Sequence, residues 1–198
     1  MITPLNFTII ICSYLLGSIS SAILLCRLLK LPDPREYGSK NPGTTNAFRI
    51  GGKKLAVTVL LLDFLKGFLT IWATQKLISP NSFMPATAGL FAFLGQLFPI
   101  FFSFRGGKGL AITFGIISAT CWQLAILLLT IWLLIFKFFK ISSLAAIITI
   151  ILTFIITFWL PDRSFAICLG IISLLILFRH KQNIKNLFNK TESKIIIN

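Results

Sequence analysis

The sequence predicts an all-α, polytopic integral membrane protein with about seven transmembrane helices, some of them short. Three observations carry this. Of 198 residues, 56% are hydrophobic and only 12% charged, with a mean hydropathy of +0.91; a soluble domain carries about 25% charged residues. The apolar residues fall in long runs, at about 5–29, 55–78, 83–102, 109–136, 143–160 and 164–178, and a helix needs about 20 such residues to cross the hydrocarbon. The cations gather between the runs, where Lys and Arg set orientation.

The first run, 5–29, has no basic residue before Arg27, so it lacks the positive region of a secretory signal and reads as a span. Loop 30–54 follows, with Lys30, Arg35, Lys40, Arg49, Lys53 and Lys54 against Asp33 and Glu36. The second run, 55–78, holds Asp63 and Lys66. Intramembrane charges suggest function, but at i, i+3 these two neutralise each other, and a structural pair is the reading preferred. Run 83–102 is the third span.

Run 109–136 decides the topology. As a single span it would put loop 30–54 and the basic tail from 179 on opposite sides of the membrane. The conflict disappears if the run is two short helices broken at "SATCWQ", 118–123, with Trp122 at an interface. Arg105, Lys108, Lys137, Lys140 and the tail then share the cytoplasmic side with loop 30–54. Runs 143–160 and 164–178 complete the count. The N-terminus is expected outside and the C-terminus in the cytoplasm, with motif loops near 30–54, 103–109, 137–143 and tail 179–198 in a single domain, 1–198. Side-specific labelling should therefore reach residues near 40, 106, 141 and 190 from the cytoplasm and residues near 80, 120 and 162 from outside. Position 120 labelled from the cytoplasm would break this topology.

The formal charge is 19 − 5 = +14. With no soluble face to carry it, nucleic acid is not the expected partner. Anionic lipid headgroups and an anionic substrate are. Cys12, Cys26, Cys121 and Cys168 all lie in apolar stretches without C-x-x-C spacing, and read as buried, reduced fillers. The acids are Asp33, Glu36, Asp63, Asp162 and Glu192, too few and too scattered for a carboxylate dyad or a Mg²⁺ cage. No metal or cofactor is expected.

Against this background the polar clusters stand out. "EYGSKNPGTTNAFRIGGKK", 36–54, combines glycines with Ser39, Thr44, Thr45, Asn41, Asn46 and Arg49. Glycines let backbone N–H groups converge on a phosphate, and an arginine grips two of its oxygens; the alternative is a flexible basic loop at the membrane surface. "FRGGKG" places Gly106, Gly107 and Lys108 at a span boundary. It follows phosphate-cradling logic without Walker spacing, although a positive clamp on a helix end would also use Lys108. "FRHKQNIKNL" contains the chain's one histidine, His180, with Asn183 on the same helical face; a C-terminal cap is the alternative for His180. In "KISSL", Ser142 and Ser143 open another cytoplasmic helix, where one of them would be expected to cap.

Together, "GSISSAILLCRLLKLPDPREYGSKNPGTTNAFRIGGKK", "DFLKG", "FPIFFSFRGGKG" and "HKQNI…TE" resemble the bacterial glycerol-3-phosphate acyltransferases that use acyl phosphate, in order, from Gly17 to Glu192. The resemblance implies a seven-span enzyme of the bacterial inner membrane. It would transfer a fatty acyl group from acyl phosphate to the 1-hydroxyl of glycerol 3-phosphate, giving lysophosphatidic acid and phosphate, the first acylation of phospholipid synthesis. Its partners would be those two substrates and membrane lipids, with no obligate protein partner. Ser39 matches the family's phosphate-loop serine, and Gly43 and Asn46 match the same loop. Arg49 matches the substrate arginine and Lys108 the lysine of Gly-Gly-Lys-Gly, after Gly106 and Gly107. Ser143 matches a site serine, and His180 and Asn183 the third motif. Two positions depart from the pattern: Gln96 stands where the family usually has His, and Lys190 where it usually has Gly. The competing readings are a transporter or binder of a phosphorylated metabolite, which would want polar residues across the midplane, and a lipid phosphatase, which would want a histidine pair.

Overall fold

The computed structural model describes residues 3–78 and 83–195, and its regular elements are all helices. Two compact units divide the chain, Met1–Thr120 and Cys121–Asn198. Among the described residues, four stretches are long and apolar enough to cross a membrane: Thr44–Leu77, Met84–Phe102, Trp122–Phe139 and Ser142–Trp159. Two bent helix pairs also qualify when each is taken together. The chain is a multi-pass membrane protein, and leucines such as Leu61, Leu127 and Leu133 stand exposed because lipid, rather than water, is their solvent.

The first unit contains α1 (Pro4–Ser18), α2 (Ser21–Leu28), α3 (Thr44–Leu77), α4 (Met84–Leu97) and α5 (Leu110–Thr120). Run 5–29, expected as one span, is long and apolar enough for one only when its two helices, bent by 45°, are taken together. Ile19 and Ser20 are extended at the break. The surrounding serines are satisfied: Ser18 donates locally to the Tyr14 carbonyl at 2.8 Å, and Ser21 donates across to Asp63 of α3 at 2.7 Å. The carbonyl of Ile19 accepts from the Lys66 ammonium at 2.6 Å.

The polar loop expected through residue 54 is also corrected. Helix α3 begins at Thr44 and kinks at Gly51–Gly52, where Gly52 has φ 74°. The glycines that made this stretch look like a loop are the hinge between two helical pieces, since the left-handed conformation costs glycine nothing.

Close packing fixes the rest of the unit. A methyl group on Gly17 would strike the Ala92 carbonyl, and one on Gly95 the Tyr14 carbonyl, so α1 and α4 touch at backbone distance. Gly67 and Gly115 do the same for α3 and α5, against Ile112 and Phe64. Small residues at helix crossings are how membrane helices gain contact when lipid offers no hydrophobic drive. Phe93, Ile71, Ile112 and Ile116 fill the interior.

Helix α5 ends at Thr120, Cys121 is extended, and α6 starts at Trp122, so the helix breaks within the polar stretch that predicted it. Helix α5 has only 11 residues and rises about 16 Å, roughly half the hydrocarbon thickness. The second unit contains α6 (Trp122–Phe139), α7 (Ser142–Ile156), α8 (Arg163–Arg179) and α9 (Lys181–Phe188). Asp162 caps α8 by accepting the Phe165 N–H at 3.1 Å. Helices α8 and α9 meet at 54° around His180. All four cysteines are free, but only Cys26 is buried. Cys121 and Cys168 are half-buried and Cys12 is exposed on α1, against the expectation that all four fill the core. A thiol is apolar enough to face lipid.

Candidate active site

The first cluster is built on Asn46. Its side-chain oxygen accepts the Ser39 N–H at 2.9 Å, and its amide donates to the carbonyls of Pro34 and Tyr37, each at 2.9 Å. Asn46 is fully buried. Three bonds from one side chain draw the 34–39 segment over the start of α3. Gly38 (φ 63°) and Lys40 (φ 55°) turn the chain on either side of Ser39, and a Cβ on Gly38 would collide with the Asn46 side chain. Ser39 itself is exposed at the crest, and Arg49 is exposed farther along α3. Gly43 is the N-cap of α3 in extended conformation, with no side-chain cap.

Below this turn, Arg35 grips Asp33 with Nε at 3.0 Å and a terminal nitrogen at 2.6 Å. The hydrogen bond from Arg35 holds the Asp33 carboxyl below its ordinary range, against the opposing pull of burial. Arg35 also donates to the Phe102 carbonyl at 3.4 Å, and Arg105 to the Arg35 carbonyl at 3.5 Å. These contacts tie the first cluster to the second.

The second cluster is wedged between two backbones. The Gly107 N–H donates to the Gln96 carbonyl at 3.1 Å. A Cβ on Gly106 would run into the carbonyls of Gln96 and Leu97, while one on Gly107 would stand 3.0 Å from the Pro42 carbonyl oxygen. Only glycines leave room for the end of α4 on one side and the first cluster on the other. Gly109 (φ 82°) then turns the chain into α5 against Phe93. The half-buried Lys108 lies in this turn. Within the first unit, therefore, the Ser39–Asn46 turn and the Gly106–Lys108 turn pack together although they are far apart in sequence.

The second unit holds the remaining residues. Ser143 and Asn183 both donate to the same carboxylate oxygen of Glu192, each at 2.7 Å. The Ile195 N–H donates to the Lys140 carbonyl at 2.8 Å and returns the tail to the turn before α7. The N-cap of α7 is Ile141, with no side-chain cap; Ser143 turns its hydroxyl to Glu192, so the expected capping contact is replaced by a tertiary one. His180 is buried and caps α8, with Nδ1 at 2.8 Å from the Ile176 carbonyl. A carbonyl only accepts, so Nδ1 carries the hydrogen, and in the neutral ring Nε2 is the acceptor. Asn183 follows on α9, three residues on.

Sequence reasoning undervalued two residues. Glu192 is counted among the scattered acids and stands in the last motif string but is given no role there, though a lone acid in a basic tail is a signal that something nearby needs it. Arg35 was counted as an orienting charge, though its i, i+2 spacing to Asp33 already permitted the clamp. In the first unit the gathered groups are backbone N–H groups, hydroxyls, amides and cations, a set suited to holding phosphate oxygens; in the second, the Ser143 hydroxyl and the Asn183 amide converge on the Glu192 carboxylate, the place an anion's oxygen would take.

The profile of a family described as glycerol-3-phosphate acyltransferase matches residues 7–190. A glycerol-3-phosphate acyltransferase of Vibrio cholerae is 47% identical over 194 residues, covering 98% of this chain and 92% of that protein. One from Francisella tularensis is 43% identical over 191 residues, covering 96% and 93%. Among solved structures, the chain superposes on the glycerol 3-phosphate form of PlsY, an integral membrane glycerol 3-phosphate acyltransferase. The TM-score is 0.92 at 35% identity, with 96% of each chain covered. The lysophosphatidic acid form of PlsY gives a TM-score of 0.88 at 34% identity.

Proposed function

We propose, from the premise that this chain belongs to the glycerol-3-phosphate acyltransferase family and is an integral membrane acyltransferase, that its acyl donor is an acyl phosphate. The acyl group goes to the 1-hydroxyl of glycerol 3-phosphate. The products are lysophosphatidic acid and inorganic phosphate, the first acylation of phospholipid synthesis. The enzyme sits in the bacterial inner membrane with its motif loops toward the cytoplasm, and both units belong to one acyltransferase domain.

The observation that carries the donor is the apposition of the Ser39 turn to the Gly-Gly-Lys turn through Pro42 and Gly107. It concentrates phosphate-binding groups, and acyl phosphate needs no protein nucleophile. The donor is a mixed anhydride whose leaving group, phosphate, departs readily. The substrate hydroxyl attacks the acyl carbon, the new ester C–O bond forms, and the bond to phosphate breaks. What the protein supplies is orientation and compensation of two closely held phosphate charges.

Ser39 and the backbone amides around Gly43 hold the acyl-phosphate group, in a turn whose shape Asn46 maintains. Arg49, Lys108, Ser143, His180 and Asn183 serve glycerol 3-phosphate and the developing charge, with Gly106 and Gly107 letting substrate approach the backbone. The proton of the attacking hydroxyl passes to a substrate phosphate, while His180 orients. The purified protein, given glycerol 3-phosphate and acyl phosphate, should release one phosphate for each lysophosphatidic acid formed. Equal phosphate release without glycerol 3-phosphate would make it a hydrolase and overturn the reading.

A further inference from the structure

We infer that Gln96 is a positioning residue for the Gly-Gly-Lys turn. The buried Asp63–Lys66 ion pair fixes its side chain, and its main chain holds Gly107, so that charges inside α3 set where Lys108 stands.

The network is closed. The Lys66 ammonium has three hydrogens and three partners: Asp63 at 2.7 Å, the Ile19 carbonyl at 2.6 Å and the Gln96 side-chain oxygen at 2.9 Å. Asp63 accepts from Ser21 at 2.7 Å, from Lys66 and, on its other oxygen, from the Gln96 amide at 3.0 Å. Asp63, Lys66, Gln96 and Ser21 are all buried. Gln96 thus uses both ends of its amide, accepting from the cation and donating to the anion, and has one orientation in which both bonds form.

A buried ion pair is a poor source of stability, because desolvation cancels most of its attraction and apolar residues of the same size often do as well. Its use lies in specifying one arrangement. Here that arrangement reaches the candidate site directly. The carbonyl of Gln96 accepts the Gly107 N–H at 3.1 Å. The side-chain nitrogen that bonds Asp63 would lie 3.7 Å from a Cβ on Gly107. Gly106 sits flush on the Gln96 and Leu97 carbonyls. The same residue therefore bonds the intramembrane pair with its side chain and the turn with its backbone. Lys66 also holds Ile19 at the α1–α2 break, so the network sets three helices in one register before the turn is laid on it.

The activity part of this inference rests on the proposed role of Lys108; the positioning part does not. Two readouts on the full-length protein in detergent or nanodiscs separate them. Gln96→Leu keeps the backbone bond to Gly107 but frees its carbonyl from the buried pair, so hydrogen exchange of the 106–109 amides should rise, by up to about tenfold as that one bond weakens. KM for glycerol 3-phosphate should rise by about the same factor. Gln96→His, whose neutral ring offers one donor and one acceptor, should keep both readouts near wild type. Ser21→Ala leaves both Gln96 bonds in place and should leave exchange at the turn unchanged. If Gln96→Leu does not fold, Gln96→Asn, an amide one methylene too short, carries the same test.

Faster exchange at the turn together with a raised KM, reversed by His, supports the inference. Faster exchange with unchanged kinetic constants supports positioning but overturns the assignment of the turn to the active site. Unchanged exchange at 106–109 in a folded Gln96→Leu protein overturns the inference, whatever the activity.

Discussion

Replacing Lys108 with alanine is expected to lower kcat/KM by about 10²–10³ while leaving the fold intact. A fixed cation aimed at phosphate in a water-poor site contributes about 2–4 kcal/mol to the transition state, and each 1.36 kcal/mol is tenfold in rate. The fold should survive because Lys108 lies in a turn whose shape is set by its neighbours: Gly106 and Gly107 are wedged against the end of α4 and Pro42, and Gly109 takes the left-handed bend. Removing the side chain leaves those backbone contacts in place. Lys76→Ala is the matched control. It also removes one cation, an exposed one in the last turn of α3, and its activity should stay within a factor of two of wild type. Steady-state assays of both variants at equal thermal midpoint decide the matter. Equal activity in the two would remove the Gly-Gly-Lys turn from the site.

The reasons this turn and its surroundings were only partly legible in sequence are physical. The break at Cys121 could be read because Ser118, Thr120, Trp122 and Gln123 interrupt an otherwise apolar run, and charge placement demanded a break there. The Asp63–Lys66 pair could be read because i, i+3 neighbours on a helix must meet. Gln96 could not be joined to that pair, because nothing local says that α4 lies across α3; the contact depends on which small residues let the helices close. Asn46 looked like one more polar residue in a phosphate loop. Its three bonds to the 34–39 segment, and its complete burial, exist only once the segment has folded back over α3. The helical stretch from Thr44 to Ile50 was hidden for a related reason. Glycines at 51 and 52 lower helix propensity across the whole window, yet they act at a single hinge. Glu192 is the clearest loss. Its meaning lies in the two donors, Ser143 and Asn183, that converge on one oxygen, and a sequence distance of 49 residues to Ser143 conceals that.

Turnover is expected with acyl phosphate and little or none with acyl-CoA or acyl-carrier protein, in buffer containing EDTA and no added metal. The turn around Ser39 is small, and Asn46 bonds hold its shape, so its donors suit one small tetrahedral anion. A thioester has no phosphate at that carbon. The donors would then have nothing to stabilise as the bond breaks, and binding that does not strengthen in the transition state does not accelerate the step. Nor does this stretch offer a place for the nucleotide of CoA. Tyr37 and Phe48 are its only aromatic residues, and no second cluster of cations in it matches a 3′-phospho-ADP group. Insensitivity to chelator follows from the same inventory. Under the proposed assignment, the charge that a metal would neutralise is met by the cations Arg49 and Lys108. The measurement is kcat/KM for each donor of one chain length, at saturating glycerol 3-phosphate, with and without EDTA. A thioester kcat/KM comparable to that of acyl phosphate would mean that the polar turns serve binding alone. Loss of acyl-phosphate turnover on chelation would mean that a bound cation supplies the charge assigned to Lys108 and Arg49.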